Sequence, residues 1–522
     1  MRITNNMMLR NTSTNINGNK INVDNLNNQM SSQKKIQRPS EDPVIAIRSL
    51  RLRSNLSEIN QYYENNIPDA ESWLDVTETA LKNMESIMKT VREQCVYGAT
   101  DSLKEDDRNT ILKQLTELRK QLYAEGNADY ADRTVFTGYR TNQKLTFMED
   151  EANTSYEISQ KFTYSDLQEY RYYNGELTVP TTDTEVLTGT PSEINETVYD
   201  RIRLGYGSID SITAKDASGV DIVLDGTTNT TGTIAYTGTT DGNLQVTVYD
   251  TYEDWANANN GEYKIDETAG AAAVVIKQTG ELILGDAASA ELRTNKASLS
   301  VDYKKTGFNN GEVRPEYYYN CKDVTLPGAP VEFKKYDDEG NELHQDIKYM
   351  VSANQTLVVN TNASKVFDAS MGRDVDELID AVERAIDANK KVADIEAMQG
   401  MEEYACDECQ AALEDWLAAA KKERDYANNN MQKLYNSYIG NCDSYLKEIN
   451  LALTDVGSKG VSLDLIKNRM SNQQTTMETL KSTNEDRELS DIIIDYTAAY
   501  NAYQASLQAA SKVNQNSLLN YL

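Results

Sequence analysis

Residues 489–510 read LSDIIIDYTAAYNAYQASLQAA. Within them Leu489, Ile493, Tyr496, Tyr500, Tyr503, Leu507 and Ala510 step by alternating fours and threes, a spacing that draws one apolar stripe down the side of a helix. The opposite end carries a matching pattern: Leu9, Ile16, Val23 and Met30 recur every seven residues, and Leu26 fills an intervening position. The C-terminal stripe runs on to Leu518, Leu519 and Leu522. Termini are commonly frayed and polar, so stripes in both place an interface at the two ends of the chain.

Working inward from the start, the first 28 positions hold ten asparagines, and Asn is a poor helix former. This segment is expected to order only against a partner. Arg38-Pro-Ser-Glu-Asp-Pro43 breaks the pattern, and Ser40 or Asp42 can cap a new helix with Pro43 in its first turn. Helix resumes from Ile45 to Leu56. A long helix then presents Ile67, Leu74, Leu81, Met88 and Cys95 at one heptad position and Ala70, Met84 and Val91 at the other. After a polar turn near Gly98–Asp107, Ile111, Leu115, Leu118 and Leu122 mark a second helix, so the two predict an antiparallel hairpin or bundle. In the last third, helix returns near residue 374 with Val375, Ile379, Val382 and Ile386, and continues towards 440 around Trp416 and Leu417. Gly457-Ser-Lys-Gly460 reads as a helix-breaking turn. Leu463, Ile466, Met470, Met477 and Leu480 begin another helix, and the nine-residue step to Leu489 shifts the stripe at Ser482–Asp486, which predicts a joint.

Between these helical arms the period becomes two. Leu145/Phe147, Tyr156/Ile158, Ile202/Leu204/Tyr206, Val220/Ile222/Leu224, Leu244/Val246/Val248 and Leu299/Val301/Tyr303 read as half-buried antiparallel strands. Asp225-Gly226, Asp241-Gly242 and Asn310-Gly311 are turn signals, and Tyr252–Asn259 is a short helical interruption. Ile347/Tyr349/Val351 and Leu357–Val359 predict a hairpin turning near Asn354.

The predicted fold class is α+β and elongated: N- and C-terminal helices pair into a coiled-coil or helical-bundle stem, and an antiparallel β-rich outer domain is inserted between them. Residues 1–60 and 485–522 form the inner terminal helices, 61–150 and 345–484 a long-helix bundle with a β-hairpin, and 151–344 the β-rich domain.

Composition excludes several functions. A net charge of -30 argues against nucleic-acid binding, which needs a basic face, although residues 1–54 hold nine Lys/Arg against three acids. No stretch approaches a membrane helix, and no apolar run with a cleavage site follows Met1, so neither membrane insertion nor a cleaved signal peptide is expected. The one histidine, His344, lies in a polar segment and reads as solvent-exposed, and no metal, phosphate-binding or dinucleotide motif is present. No catalytic, cofactor-binding or metal-binding residue is assigned, and the chain is not expected to be an enzyme. Cys406-Asp-Glu-Cys409 has the spacing of a redox or zinc pair, but in a helical, acidic stretch it reads better as two small residues on one turn.

The residues quoted so far resemble the flagellin family, and within it the members at the hook–filament junction. The similarity is carried by Met1-Arg-Ile-Thr-Asn-Asn-Met-Met8, Gln37–Arg53, Ala70-Glu-Ser-Trp-Leu74, Val135-Phe-Thr-Gly138, Ala502–Leu507 and Ser517–Leu522. The resemblance implies a structural subunit that assembles through its terminal helices in a ring of copies of itself. Its implied neighbours are hook-associated protein 1 and flagellin. It also implies an export chaperone and the flagellar type III export apparatus, and an extracellular place on the bacterial flagellum. Five cysteines and a helical insertion near 392–440 depart from the family pattern. The alternatives are a filament flagellin, against which Pro39-Ser-Glu-Asp-Pro43 and the Asn-Tyr-Leu ending weigh, a carbohydrate-binding protein or enzyme on a helical anchor, and a cytosolic coiled-coil scaffold.

Overall fold

Helix occupies both arms of the chain and sheet its middle. The computed structural model describes residues 5–100, 105–216, 218–228, 230–237, 242–268, 270–337 and 339–515. Its α-helices are α1 (Asn5–Ser32), α2 (Pro43–Asn60), α3 (Ile67–Gly98), α4 (Glu105–Gly126), α5 (Asp183–Thr188), α6 (Tyr252–Ala258), α7 (Asp286–Asn295), α8 (Ser370–Gln399), α9 (Asp407–Glu485) and α10 (Leu489–Gln515). The fold is α+β, in two units: Met1–Glu71, Lys348–Leu357 and Lys459–Leu522 form the smaller, and Ser72–Ile347 and Val358–Ser458 the larger.

In the smaller unit, local chemistry sets the breaks. α1 stops at Ser32 because Gln33 turns left-handed, with φ at 57°. The carboxylate of Asp42 then accepts the backbone N–H groups of Val44 and Ile45 at 2.9 and 3.1 Å, capping α2 with Pro43 in its first turn. Between α2 and α3 the ladder widens to a π-helical segment, Gln61–Asn66. The predicted hairpin, Lys348–Ser352 with Gln355–Val358, seats its first strand on this segment. There Asn66 Nδ2 donates to the Met350 carbonyl at 2.7 Å, and the Tyr349 hydroxyl bonds Asp69.

The larger unit buries the heptad face of α3, with Trp73, Leu81, Met84 and Cys95 inaccessible to solvent. α4 adds Ile111, Leu115 and Leu122 and packs on α8. That approach is close at Gly372, where a Cβ would stand 1.5 Å from the Tyr123 hydroxyl.

Twelve strands build one sheet here. Its path runs Val331–Phe333, Asn320–Asp323, Glu151–Thr163, Ser298–Phe308, Ser211–Lys215, Thr231–Thr237, Asn243–Tyr249, Ala272–Ile276, Glu281–Leu284, Asn195–Arg203 and Gln168–Asn174, with Asp221–Leu224 paired beside Ser211–Lys215. One pair departs from the predicted antiparallel arrangement: Asn243–Tyr249 and Ala272–Ile276 run parallel. The chain returns in the same sense through α6, which buries Trp255, and Ala272–Ile276 is apolar on both faces instead of alternating. Leu145 and Phe147 form no strand. Thr146 makes a single bridge to Val313 while Leu145 and Phe147 are buried in the core.

Charge as well as apolar packing holds the sheet to α8. Arg201 is 2% exposed and pairs with Glu281 at 2.7 Å and with Glu377 on α8. Arg203 bonds Glu377 at 2.9 Å and Asp374, whose carboxylate also accepts from Tyr445 at 2.8 Å and Asn441 at 2.9 Å on α9. Burial works against the charge of Glu377, but Arg201 and Arg203 outweigh it and hold its carboxyl below the usual range.

Two further expectations are corrected. Gly457-Ser-Lys-Gly460 does not break the helix: α9 runs unbroken from Asp407 to Glu485. Its buried anchors, Ile449, Val456, Leu463 and Ile466, continue across the glycines and outweigh their poor propensity. Cys406 and Cys409 are not two separate thiols but a disulfide at the start of α9. Their Cα atoms stand 5.1 Å apart on adjoining turns, within bridging reach. The insertion near 392–440 comprises the end of α8, a short connection and the first part of α9, and it has a packing task. Val392, Ile395, Leu413 and Trp416 enclose Leu177 and Val186 from the segment around α5. Trp416 Nε1 donates to the Val186 carbonyl at 3.3 Å.

Candidate assembly site

The two striped helices belong to the smaller unit and pack on each other. The end of α1 meets the start of α10, so they run antiparallel. On α1, Ile16, Val23, Leu26 and Met30 are half-buried, in register with Thr12 and Asn19, while Leu9 is exposed. On α10 Ile492 is buried, and Tyr496, Ala499, Tyr503, Ser506 and Ala510 are half-buried in register with it. The predicted stripe therefore divides. Tyr496, Tyr503 and Ala510 face inward, whereas Leu489, Ile493, Tyr500 and Leu507 stay exposed. Ile492, fully buried, was missed because three consecutive isoleucines leave the phase of the stripe open, and the alternating count lands equally well on Ile493. Leu518, Leu519 and Leu522 lie outside the described residues.

The exposed residues form a second apolar row. Leu489, Ile493, Tyr500 and Leu507 keep heptad-related spacing with Ile494 beside them, 66% exposed. On α2, Val44, Ile47 and Leu50 repeat every third residue and are all more than half exposed. Scattered exposed apolar residues are ordinary, whereas these are aligned in rows along their helices.

A charged knot fastens the joint between α9 and α10, and it is the feature that apolar spacing could not reveal. Glu485 ends α9 and is 5% exposed. Arg53 of α2 donates to both its oxygens, from Nε at 2.7 Å and Nη2 at 2.8 Å, and the Ser49 hydroxyl donates to Oε1. Lys34 stands 3.6 Å from Glu485 and also bonds Asp486. Hydrogen bonding by Arg53 and Ser49, against the cost of burial, holds the Glu485 carboxyl at about 2. Backbone bonds complete the knot. Lys35 N–H donates to the Glu485 carbonyl at 2.7 Å, and Arg487 N–H to the Gln33 carbonyl at 3.0 Å. Arg487 also reaches Gln29 on α1 at 2.8 Å. The segment after α1 is thereby bound to the segment before α10. This arrangement fixes geometry. His344 is exposed and lies apart from it in sequence. Among the described residues no group of three or more His, Cys, Asp or Glu side chains is placed to hold a metal, and no helix is long and apolar enough to cross a membrane.

Comparison with known proteins bears on the same end of the chain. Residues 3–141 match the bacterial flagellin N-terminal helical region. The chain is 30% identical over 142 residues to flagellar hook-associated protein 3 of Salmonella typhimurium, which is 27% of this chain and 44% of that relative. It is 30% identical over 114 residues to the protein of the same name from Escherichia coli, 22% of this chain and 36% of that relative. The chain thus matches less than half the length of these curated relatives. The flagellar junction protein of Legionella pneumophila is 12% identical in sequence over 84% of this chain and 99% of its own, with a TM-score of 0.29.

Proposed function

We propose that the chain is a structural subunit of the bacterial flagellum at the hook–filament junction, a reading supported by the match of residues 3–141 to the flagellin N-terminal helical region. The observation that carries it is the double apolar face of α10: one row closes on α1, and the other, Leu489, Ile493, Tyr500 and Leu507, stays open. A row left exposed along a helix supports contact with a neighbouring subunit. The names of the two curated relatives, both hook-associated, favour a contact beside the hook over one along the filament. In this reading residues 1–60 and 485–522 form the assembly core, residues 61–150 and 345–484 the surrounding helical layer, and residues 151–344 the displayed β-rich part. The partners are copies of the chain in a ring, hook-associated protein 1 on one side and flagellin on the other. An export chaperone and the flagellar type III export apparatus deliver it. The subunit works by geometry and not by catalysis.

Immunogold labelling of intact flagella tests the proposal. A single band at the hook–filament boundary is expected. Label spread along the filament would replace the junction reading with a filament flagellin, and label confined to the cell interior would remove both.

A further inference from the structure

Inside the larger unit, α3 and α9 run antiparallel, in a register set at three levels. Arg92 Nε donates to Asp443 at 2.7 Å, Cys95 and Cys442 border one small cavity, and Gly98 lies against the ring of Tyr435. A Cβ on Gly98 would come within 2.3 Å of that ring, so the two helices are held in close approach there. Both cysteines are free and buried, and they line the same small cavity with Met88, Val91 and Tyr438. Cys321 lies on a sheet strand and is also a free thiol.

We propose that Cys95 and Cys442 are the site of a latent second disulfide that staples α3 to α9, closed by exchange with a small-molecule disulfide. One thiolate attacks the oxidant and releases its first thiol. The second cysteine then attacks the mixed disulfide and releases the other, so two protein thiols are oxidised and one disulfide is reduced to two thiols. The fold governs when this happens. Exchange requires a thiolate. In the closed structure the neighbouring Cys442 thiol and then burial push the Cys95 thiol far above its ordinary range. Oxidation therefore belongs to the opened or refolding chain, and the closed helices protect whichever state was set. The cross-link would close a very long loop, the case in which restricting the unfolded chain gives its largest stabilisation.

The test refolds the full chain from urea with oxidised glutathione, or with dithiothreitol, then alkylates free thiols and maps the peptides without reduction. A peptide joining Cys95 to Cys442 is expected, with Cys321 alkylated. Oxidation should raise the thermal midpoint by about 5 °C more in the wild-type chain than in Cys95→Ala. Folded wild-type chain given the same oxidant without urea should link about tenfold more slowly. Alkylation of both cysteines after oxidative refolding, glutathione adducts as their only products, or pairing with Cys321 would overturn the proposal. The mapping uses wild-type chain, so it decides the matter even where Cys95→Ala folds poorly, and it is independent of where the protein sits on the flagellum.

Discussion

Arg53 grips both carboxylate oxygens of Glu485, at 2.7 and 2.8 Å, and so ties α2 to the last residue of α9. Glu485 in turn faces Ser49 and Lys34, so one carboxylate gathers α2, the segment after α1 and the entry to α10. Arg53 is mostly exposed and, as a surface ion pair, would contribute little. The buried partner makes the difference, because its charge has no water to return to.

Glu485→Gln is expected to lower the stability of this unit by about 2 kcal/mol at neutral pH. The carboxyl value is depressed in the fold, from 4.5 to about 2. The stabilisation is therefore fully present above pH 4.5 and is lost as pH falls through 2. Urea titrations followed by circular dichroism should give a gap between wild type and variant that is constant from pH 7 to pH 5 and shrinks towards pH 2. A gap unaffected by acid would mean that the charge is irrelevant.

The two rows of α10 should separate folding from assembly. Ile493→Lys and Leu507→Lys alter exposed residues and should leave helicity and the thermal midpoint unchanged while abolishing incorporation and motility. Ile492→Ala, at a fully buried position, should instead destabilise the helix pair by about 2–4 kcal/mol. Motility that survives both lysine variants would remove the open row from the assembly surface.

Glu377→Ala removes one of two carboxylates from each of the buried Arg201 and Arg203, leaving Glu281 and Asp374 as their remaining partners. A cost of about 2–3 kcal/mol follows from losing charged hydrogen bonds in the interior. Tryptophan fluorescence during urea unfolding reports it through Trp255, which lies in the aromatic cluster on Tyr172, itself bonded to Glu281. Exposed pairs such as Lys120–Glu117 provide the control, expected within about 0.5 kcal/mol of wild type on removal.

Gly440, Gly457 and Gly460 each have open space where a Cβ would stand, and each lies inside α9. Alanine at each site should stabilise the helix by about 0.5–1 kcal/mol, by limiting the freedom of the unfolded chain while leaving the packing of the folded one as it is. Thermal melts of the single and triple variants measure this. A fall in the midpoint would point to a bend at these glycines that the chain requires.

Long periodic segments were legible in the sequence because one period dominates them. The heptads from Ile67 to Cys95, the cap at Asp42 before Pro43, the hairpin near Asn354 and the joint at Ser482–Asp486 all appear where the pattern puts them. What was not legible depended on partners distant in sequence. Nothing near Glu485 announces Arg53, and nothing near Ala272–Ile276 announces a parallel neighbour at Asn243–Tyr249. The glycines at 457 and 460 misled because local propensity was weighed without the buried anchors on either side. The stripe on α10 was seen as one face because apolar spacing does not distinguish a residue that packs within its own chain from one kept open for another.

The antiparallel partnership of α1 with α10 also bears on protein synthesis. α1 leaves the ribosome long before its partner α10, and its asparagine-rich sequence gives it little order meanwhile. A chain interrupted anywhere before residue 489 leaves α1 unmatched and the apolar positions Ile16, Val23 and Leu26 uncovered. The pairing thus separates chains that reach α10 from those that stop short of it: without α10, α1 is left as an open, weakly helical segment.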